Sequence, residues 1–235
     1  MIALLSMFRD SMDWAGHPIN QVDTYFRQWE SQTIRATSYY CLEGDSKDDT
    51  TDVLAEYVAK MENLYVINKT ADYNRVISST DPARIKSMAN LANKLLEFAR
   101  TCDNYQWFLW CESDLIVPKD LIEKLVRSAE SIKHRPIIMA PFPFHKTRKS
   151  FYDTWAFRHL NDSPLYSMPK DIVELKSIGS CALISASLIY GGINFGDGAF
   201  PELCSQATKK GAKIYADPSI CIWHPDQQYI AGRLI

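Results

Sequence analysis

The sequence has little of what marks fibrous, disordered or highly charged proteins. Its 235 residues include only 9 Gly and 11 Pro, which excludes collagen-like and low-complexity repeats. A formal net charge of -2 gives no general basic field, so a phosphate-bearing partner needs a local patch. With 46% hydrophobic residues, a chain of this length buries roughly 70% of its unfolded surface and folds without a disulfide or structural metal.

Paired cysteines and long apolar runs are also missing. The six cysteines, at positions 41, 102, 111, 181, 204 and 221, form no Cys-x-x-Cys pair, which argues against a zinc ribbon or a thioredoxin-type site. The apolar opening MIALLSMF ends at Arg9, and no later segment reaches the ~18 apolar residues that span a bilayer. We therefore expect reduced thiols, no integral membrane segment, and a soluble protein of the cytoplasm or another intracellular space.

Strand-like and helix-like segments alternate along the chain, which favours an open α/β sheet in a single domain covering residues 1–235. The predicted strands are IALLSMF, ATSYYCLE, NLYVIN and the apolar run before Cys111. Helical spacing predicts a helix over 48–61, and Asp81 with Pro82 predicts the start of another. Pro118 is expected to open a further amphipathic helix, and the chain after Gly211 to form two short strands.

Two acids follow the apolar run YQWFLWC and form the most informative motif. If the strand continues through Glu112 and Asp114, both carboxylates point to one side and Ser113 faces away. Ligands in open α/β sheets bind beyond the carboxyl ends of strands, and a divalent cation relieves the repulsion between adjacent carboxylates. Mg²⁺ or Mn²⁺ suits these oxygen ligands. A solvated turn or a helix cap is the alternative for an isolated acid-x-acid triplet.

The surrounding order of elements resembles the GT-A glycosyltransferases, whose acid-x-acid motif holds a metal against a nucleotide-sugar diphosphate. Besides CESD, the similar stretches are LEGDSKDDT after the second strand and GSCALISASLI with the helix PELCSQATKKG behind it. The resemblance implies a Rossmann-like open mixed sheet flanked by helices, with the donor bound by residues 1–118 and the acceptor by 119–235. His224 matches the position that often supplies a third metal ligand beside Glu112 and Asp114; a hydrogen-bonded surface histidine is the alternative.

A narrower resemblance is to the fungal Golgi α-mannosyltransferases and the capsule-associated mannosyltransferases. It is carried by FRDS, LEGDSKDDT, NKLL and FYDTWAFR, and it implies a GDP-sugar donor. These families carry Arg before the Asn that aligns with Asn93, whereas this chain does not, so Arg9, Arg75 or Arg84 must supply a cation for the diphosphate. The residues expected to bind the donor are Arg9, Glu43, Asp45, Arg84, Asn93 and Ser113. Asp48 or Asp49 is expected to cap the next helix.

The residues expected to act on the acceptor follow from the same resemblance. Many inverting relatives carry a Glu-Asp pair where this chain has Ala199 and Phe200. Asp197 or Glu202 would then deprotonate the acceptor hydroxyl, with Asp114 acting through the metal. Otherwise the reaction retains configuration and the leaving diphosphate assists the incoming hydroxyl.

An acceptor-binding corner is expected at Tyr152, Asp153 and Trp155, beside the basic run 146–149. A glycan, a glycoconjugate or a modified nucleic-acid base would serve as acceptor. Two other functions remain open. One is a non-catalytic nucleotide- or sugar-binding relative. The other is a sugar-phosphate nucleotidyltransferase, disfavoured because FRDSMDWAG lacks a Gly-rich, Arg-containing loop.

Overall fold

A central sheet of eight strands runs through the computed structural model, which describes residues 1–14, 17–18, 20–70, 81–102, 104–145 and 150–224. The strands are β1 (Ile2–Phe8), β2 (Asp13–Trp14), β3 (His17–Pro18), β4 (Ser38–Glu43), β5 (Leu64–Asn68), β6 (Trp107–Cys111), β7 (Ile137–His145), β8 (Val173–Leu175), β9 (Cys181–Ser185) and β10 (Lys213–His224). The helices are α1 (Gln21–Glu30), α2 (Thr50–Lys60), α3 (Pro82–Ala99), α4 (Leu121–Ser131), α5 (Ala186–Tyr190) and α6 (Phe200–Lys209).

The sheet is mixed, with the order β5-β4-β1-β6-β9-β7-β10-β8. Strands β5, β4, β1 and β6 are parallel, and so are β7 and β10, whereas β9 runs antiparallel to both β6 and β7. Strand β8 pairs antiparallel with β10 at one edge, and β2 with β3 form a separate two-stranded ribbon. The predicted single-domain open α/β fold is confirmed.

Helices cover both faces of this sheet, which is why its central strands are mostly apolar and buried. Along β1, Ala3 and Leu5 pack into one core and Leu4 and Phe8 into the other, as the alternation of side chains requires. Helices α3, α5 and α6 contribute to the first core, and α1, α2 and α4 to the second. In the part of the chain that the structure describes, no helix combines the length and apolarity needed to cross a bilayer.

The predicted elements are largely confirmed, with three differences. Pro118 does not open the next helix; α4 begins at Leu121, after a turn in which the N–H of Leu121 donates to the Pro118 carbonyl. The two short strands expected after Gly211 are one strand, β10, whose register shifts between Asp217 and Cys221. Asp49 is the N-cap of α2, but its side chain makes no capping hydrogen bond.

Candidate functional site

The candidate site lies where β6 and β10 end. Strand β6 stops at Cys111, and a turn follows in which the N–H of Leu115 donates to the Glu112 carbonyl over 3.3 Å. Side-chain alternation along a strand therefore does not align the two acids, and the predicted geometry is wrong. In the turn, Asp114 still lies near enough to Glu112 for its charge to raise the pKa of that carboxyl. Ser113 lies in the middle of this turn.

A short bridge fixes the turn against the end of β10. The N–H of Ile116 donates to the Trp223 carbonyl over 2.8 Å, and the N–H of Trp223 donates back over 2.9 Å. This pairing places His224 Nε2 3.0 Å from Asp114 Oδ2. Both side chains are largely shielded, with relative exposures of 16% for His224 and 35% for Asp114. The structure thus brings together two residues that the sequence predicted to share a ligand.

Glu112 occupies the inner side of the same turn. Its N–H donates to the Ser180 carbonyl over 3.0 Å, which ties the turn to the start of β9. Desolvation, followed by repulsion from Asp114 and Asp153, raises the pKa of Glu112 to about 8, although His224 and Arg84 act in the opposite direction. A buried carboxylate that is repelled by neighbouring acids is stabilised by a positive charge next to it.

Asp153 is a fourth ionisable group near Glu112, Asp114 and His224. Its carboxylate accepts hydrogen bonds from the Ala156 N–H over 3.1 Å and from Ser180 Oγ over 3.1 Å. A Cβ at Gly179 would lie 2.2 Å from Asp153 Oδ2, so the carboxylate occupies space that only glycine leaves open. Desolvation raises the pKa of Asp153, and the charge of His224 opposes this shift.

Tyr152 links the acceptor corner predicted from the sequence to His224. The two rings are stacked with centroids 4.1 Å apart and planes 10° apart, and His145 meets Tyr152 edge-on at 5.0 Å. Desolvation, then Glu112 and Asp114, hold the pKa of the Tyr152 hydroxyl well above its ordinary value. Trp155 is 46% exposed beside them, and the basic run 146–149 lies outside the described residues.

A divalent cation requires several ligand atoms arranged around one point. Among the residues that the structure describes, no group of three or more His, Cys, Asp or Glu side chains is arranged to hold a metal, so the predicted set with Glu112 is not preassembled. Asp114 Oδ2 and His224 Nε2 are 3.0 Å apart and in direct contact, as in an ion pair, and this spacing also suits two neighbouring ligands of one ion. Two ligand atoms at right angles on one octahedral ion, each at about 2.1 Å, are about 3.0 Å apart.

The predicted donor-binding residues Arg9, Glu43 and Asp45 lie at the ends of β1 and β4. Arg9 Nη2 is 3.4 Å from Asp45 Oδ1. Glu43 is 3% exposed, and its carboxylate accepts from the N–H groups of Asp45 (3.1 Å) and Ser46 (2.6 Å). Glu43 therefore organises the turn that follows β4.

A neighbouring carboxylate ties the two loops to each other. Asp48 accepts from the Thr50 N–H over 3.0 Å and from the Met12 N–H, in the loop after β1, over 2.7 Å. Asp48, the other residue expected to cap α2, thus bonds within the turn and across to the loop after β1, while Asp49 occupies the N-cap position. Both bonds restrain the loops at the carboxyl ends of β1 and β4, and ligands of open α/β sheets bind at such strand ends.

The two predicted donor residues on α3 are placed differently from each other. Arg84 lies in the first turn of the helix, and its charge acts to lower the pKa of Glu112, against the larger effects of burial and the neighbouring acids. Asn93 instead bonds the backbone of Phe195, to which its Nδ2 donates over 2.6 Å and from which its Oδ1 accepts over 2.7 Å. Arg75 lies outside the described residues.

Asp197 and Glu202, the predicted acceptor-side acids, follow Phe195 closely. Asp197 has an 80% exposed side chain whose Oδ1 is 3.7 Å from Lys86 Nζ. Glu202 is half-buried in the first turn of α6, and a Cβ at Gly196 would lie 2.1 Å from its Cγ. No hydrogen bond or ion pair engages the Glu202 carboxylate within the described part of the chain.

Two residues of the site lie at the start of the stretch GSCALISASLI but were given no role from the sequence. Ser180 is 3% exposed at φ 61° and bonds both Asp153 and Glu112, while Gly179 provides the space for the Asp153 carboxylate. A Gly-Ser pair before a strand is a common turn, so composition alone does not distinguish it. Only the approach of a distant carboxylate reveals its role.

No protein-family model matches the chain, and no curated protein matches it by sequence. Solved structures match its fold. TarS of S. aureus in complex with UDP-GlcNAc superposes with a TM-score of 0.63 at 10% identity, covering 100% of this chain and 61% of that one. The mannosyltransferase PcManGT from Pyrobaculum calidifontis, in complex with GDP-Man and Mn²⁺, gives 0.61 at 11% identity, covering 98% and 59%.

A third structure, GalNAc-T7 with UDP, GalNAc and Mn²⁺, has a TM-score of 0.61 at 13% identity and covers 95% of this chain and 43% of that one. The chain therefore spans about three fifths or less of the length of the structures it matches. These neighbours are GT-A glycosyltransferases, and the mixed sheet described above has their fold. At such low identity the likeness concerns the fold alone.

Proposed function

We propose that the protein is a metal-dependent glycosyltransferase that moves a sugar from a nucleoside-diphosphate sugar to an acceptor hydroxyl. The observation that carries this proposal is the contact between Asp114 and His224, 3.0 Å apart at the ends of β6 and β10. The acids Glu112 and Asp153 face the same place and make it favourable for a cation. Of the solved structures with the same fold, two hold a nucleotide sugar and a third holds UDP with GalNAc, and two of these three contain Mn²⁺, which supports the proposal.

Asp114 and His224 are the residues we propose to hold Mn²⁺ or Mg²⁺, with Glu112 completing the set. The ion would neutralise the negative charge that develops on the leaving diphosphate. Arg84 would contribute a second positive charge, since its charge already acts to lower the pKa of Glu112. Arg9 and Asp45 would contact the nucleoside side of the donor from the loops after β1 and β4, since ligands of such sheets bind at these strand ends.

The donor and the acceptor would bind to different parts of the chain. We propose that residues 1–118 bind the donor and 119–235 the acceptor, with Trp155 offering an exposed ring on which a sugar stacks. A GDP-sugar, as in the fungal and capsule-associated mannosyltransferases, is the donor suggested by the narrower sequence resemblance. The acceptor classes are those named from the sequence: a glycan, a glycoconjugate or a modified nucleic-acid base.

In the reaction, the bond between the anomeric carbon and the diphosphate oxygen breaks and a bond to the acceptor oxygen forms. Glu202 is the better placed acid to hold and orient the acceptor, because it is half-buried, whereas Asp197 is 80% exposed and near Lys86. We propose retention of configuration, since the usual Glu-Asp pair is replaced by Ala199 and Phe200. The diphosphate oxygen then takes the hydroxyl proton on the face that it leaves.

The test is ligand-dependent stabilisation followed by turnover. A nucleoside diphosphate at 100 times its Kd stabilises the folded state by about 2.7 kcal/mol, which is roughly 5–10 °C in melting temperature for a chain of this size. We expect this shift only with Mn²⁺ or Mg²⁺ present, and we expect donor hydrolysis in a panel of nucleotide sugars with Mn²⁺.

Asp114→Asn should abolish both the melting shift and turnover while the protein stays folded. Asp162→Asn is the matched control, because Asp162 is an exposed residue paired with Lys176 and its left-handed φ of 71° is one that Asn tolerates. Proton NMR of a product then distinguishes retention from inversion. If no nucleoside diphosphate shifts the melting temperature with any divalent cation, the proposal is wrong.

A further inference from the structure

Asn93 uses both polar groups of its side chain to hold one residue of a distant loop. Its Nδ2 donates to the Phe195 carbonyl over 2.6 Å, and its Oδ1 accepts from the Phe195 N–H over 2.7 Å. A carboxamide matched in this way to both backbone groups of one residue fixes its position and its orientation. Asn93 therefore anchors the segment 193–199, which we call the α5–α6 loop.

Two more side chains anchor the same loop at the residues just before Phe195. Gln206, on α6, accepts from the Asn194 N–H over 3.1 Å and donates to Asn194 Oδ1 over 2.9 Å. Arg100, at the end of α3, donates to the Ile193 carbonyl. Three consecutive residues of the loop are thus held by side chains from two helices, so the loop is fixed independently of any ligand.

This loop leads directly to the candidate site. The ring of Phe195 packs on Trp110 with centroids 4.7 Å apart, and Trp110 comes two residues before Glu112. Glu202 rests against Gly196, where a Cβ would lie 2.1 Å from its Cγ. The position of the Glu202 carboxylate therefore depends on where the backbone at 195–196 is held.

Lys86 confirms that α3 runs along the loop. It is seven residues before Asn93, two turns along the same face of the helix, and its Nζ lies 3.7 Å from Asp197 Oδ1. One face of α3 thus meets the α5–α6 loop with both Lys86 and Asn93.

We propose that Asn93 is a positioning residue for sugar transfer, which holds the α5–α6 loop so that Glu202 faces the acceptor, and that it does not bind the donor. This rests on the proposed function. A displacement of about 1 Å at a reacting group costs on the order of 10²-fold in rate. Loss of the Asn93 side chain should therefore lower the kcat of transfer by about that factor and leave donor binding unchanged.

The experiment compares Asn93→Ala, Asn93→Asp and the control Lys94→Ala. Asp keeps the oxygen that accepts from Phe195 but has no group to donate to its carbonyl, so an intermediate effect is expected. Lys94 is an exposed neighbour on α3, paired only with Glu97 among the described residues. The readouts are kcat and KM of transfer, the Mn²⁺-dependent melting shift with a nucleoside diphosphate, and amide hydrogen exchange by mass spectrometry across 193–200.

The expected result is faster exchange at 193–200 in Asn93→Ala, an unchanged melting shift, and a kcat reduced far more than in Lys94→Ala. The inference is wrong if Asn93→Ala transfers sugar as fast as the control Lys94→Ala. It is also wrong if Asn93→Ala loses the melting shift together with transfer, because Asn93 would then be a donor ligand. Unchanged exchange at Phe195 would overturn it as well. Failure of the proposed function has a different signature, since the unsubstituted protein itself would then show no nucleotide-dependent shift.

Discussion

Replacing Gly196 by alanine moves the Glu202 carboxylate without altering its chemistry. The new Cβ would lie 2.1 Å from Glu202 Cγ, 3.1 Å from its Cβ and 3.2 Å from its Cδ. Atoms cannot stay that close, so the Glu202 side chain must adopt another rotamer. The substitution therefore tests the position of the Glu202 carboxylate while the carboxylate itself is kept.

The size of the displacement follows from these distances. Cγ must move from 2.1 Å to about 3.4 Å, a retreat of about 1.3 Å, and the carboxylate beyond it moves further. A shift of that size costs on the order of 10²-fold in kcat if Glu202 contacts the acceptor. Stability should change by less than about 1 kcal/mol, because Gly196 has no left-handed φ and alanine restricts the unfolded chain.

Gly198 provides a matched control two residues away. A Cβ there would meet Glu202 Cβ at 3.8 Å, an ordinary contact, and Gly198 also has no left-handed φ. The assay measures kcat and KM for transfer from the active nucleotide sugar, together with melting temperature, for Gly196→Ala, Gly198→Ala and Glu202→Gln. We expect Gly196→Ala to resemble Glu202→Gln in transfer and Gly198→Ala to resemble the unsubstituted protein.

Two results would refute this reasoning. Unchanged transfer in Gly196→Ala would mean that the placement of Glu202 does not matter to the reaction, and unchanged transfer in Glu202→Gln would remove it as base or sugar-binding group. Equal losses in both glycine variants would instead assign the effect to the backbone of the turn. The stability measurement excludes unfolding as the cause.

Three further predictions concern the site and the core. Tyr152→Leu should weaken Mn²⁺ binding by about 10–100-fold, because His224 loses its stacked ring, whereas Tyr152→Phe should bind normally; calorimetric titration with Mn²⁺ checks both. Gly179→Ala should lower the free energy of unfolding by about 1–3 kcal/mol, since its Cβ would lie 2.2 Å from Asp153 Oδ2 and 2.7 Å from Ala156 Cβ; a urea titration with no loss would contradict the packing. Leu95→Ala, at a residue with 0% exposure in the core, should cost about 2–5 kcal/mol in the same titration.

The elements of the fold were predictable from the sequence because their signals are local. The apolar run of β1, the spacing of α2 and the Asp81-Pro82 start of α3 each appear within a few residues, and the structure has each of them. The errors arose where local signals compete. Pro118 begins a turn before α4, and the shift near Asp217 does not divide β10 into two strands.

The candidate site was predicted in part. The acids after β6 were identified from their position at a strand end and His224 from the resemblance to GT-A glycosyltransferases, although the strand geometry predicted for Glu112 and Asp114 was wrong. The position of Asp153 beside them was not predicted, since it comes from a segment with no periodic pattern. The roles of Gly179, which leaves space for the Asp153 carboxylate, and of Ser180, which donates to it, were not predicted either, because a Gly-Ser pair before a strand is a common turn.

By itself, the sequence determined an alternating α/β chain, an apolar sheet covered on both faces, and the strand ends that carry acidic residues. Those features depend on side-chain type and short-range spacing, and both can be read directly from the sequence. Only the tertiary structure decided that Asp114 meets His224, and that Asn93 bonds Phe195, 102 residues further along the chain. Such pairs depend on strand register and loop closure, and a hydrogen bond between distant residues leaves no periodic trace in the sequence.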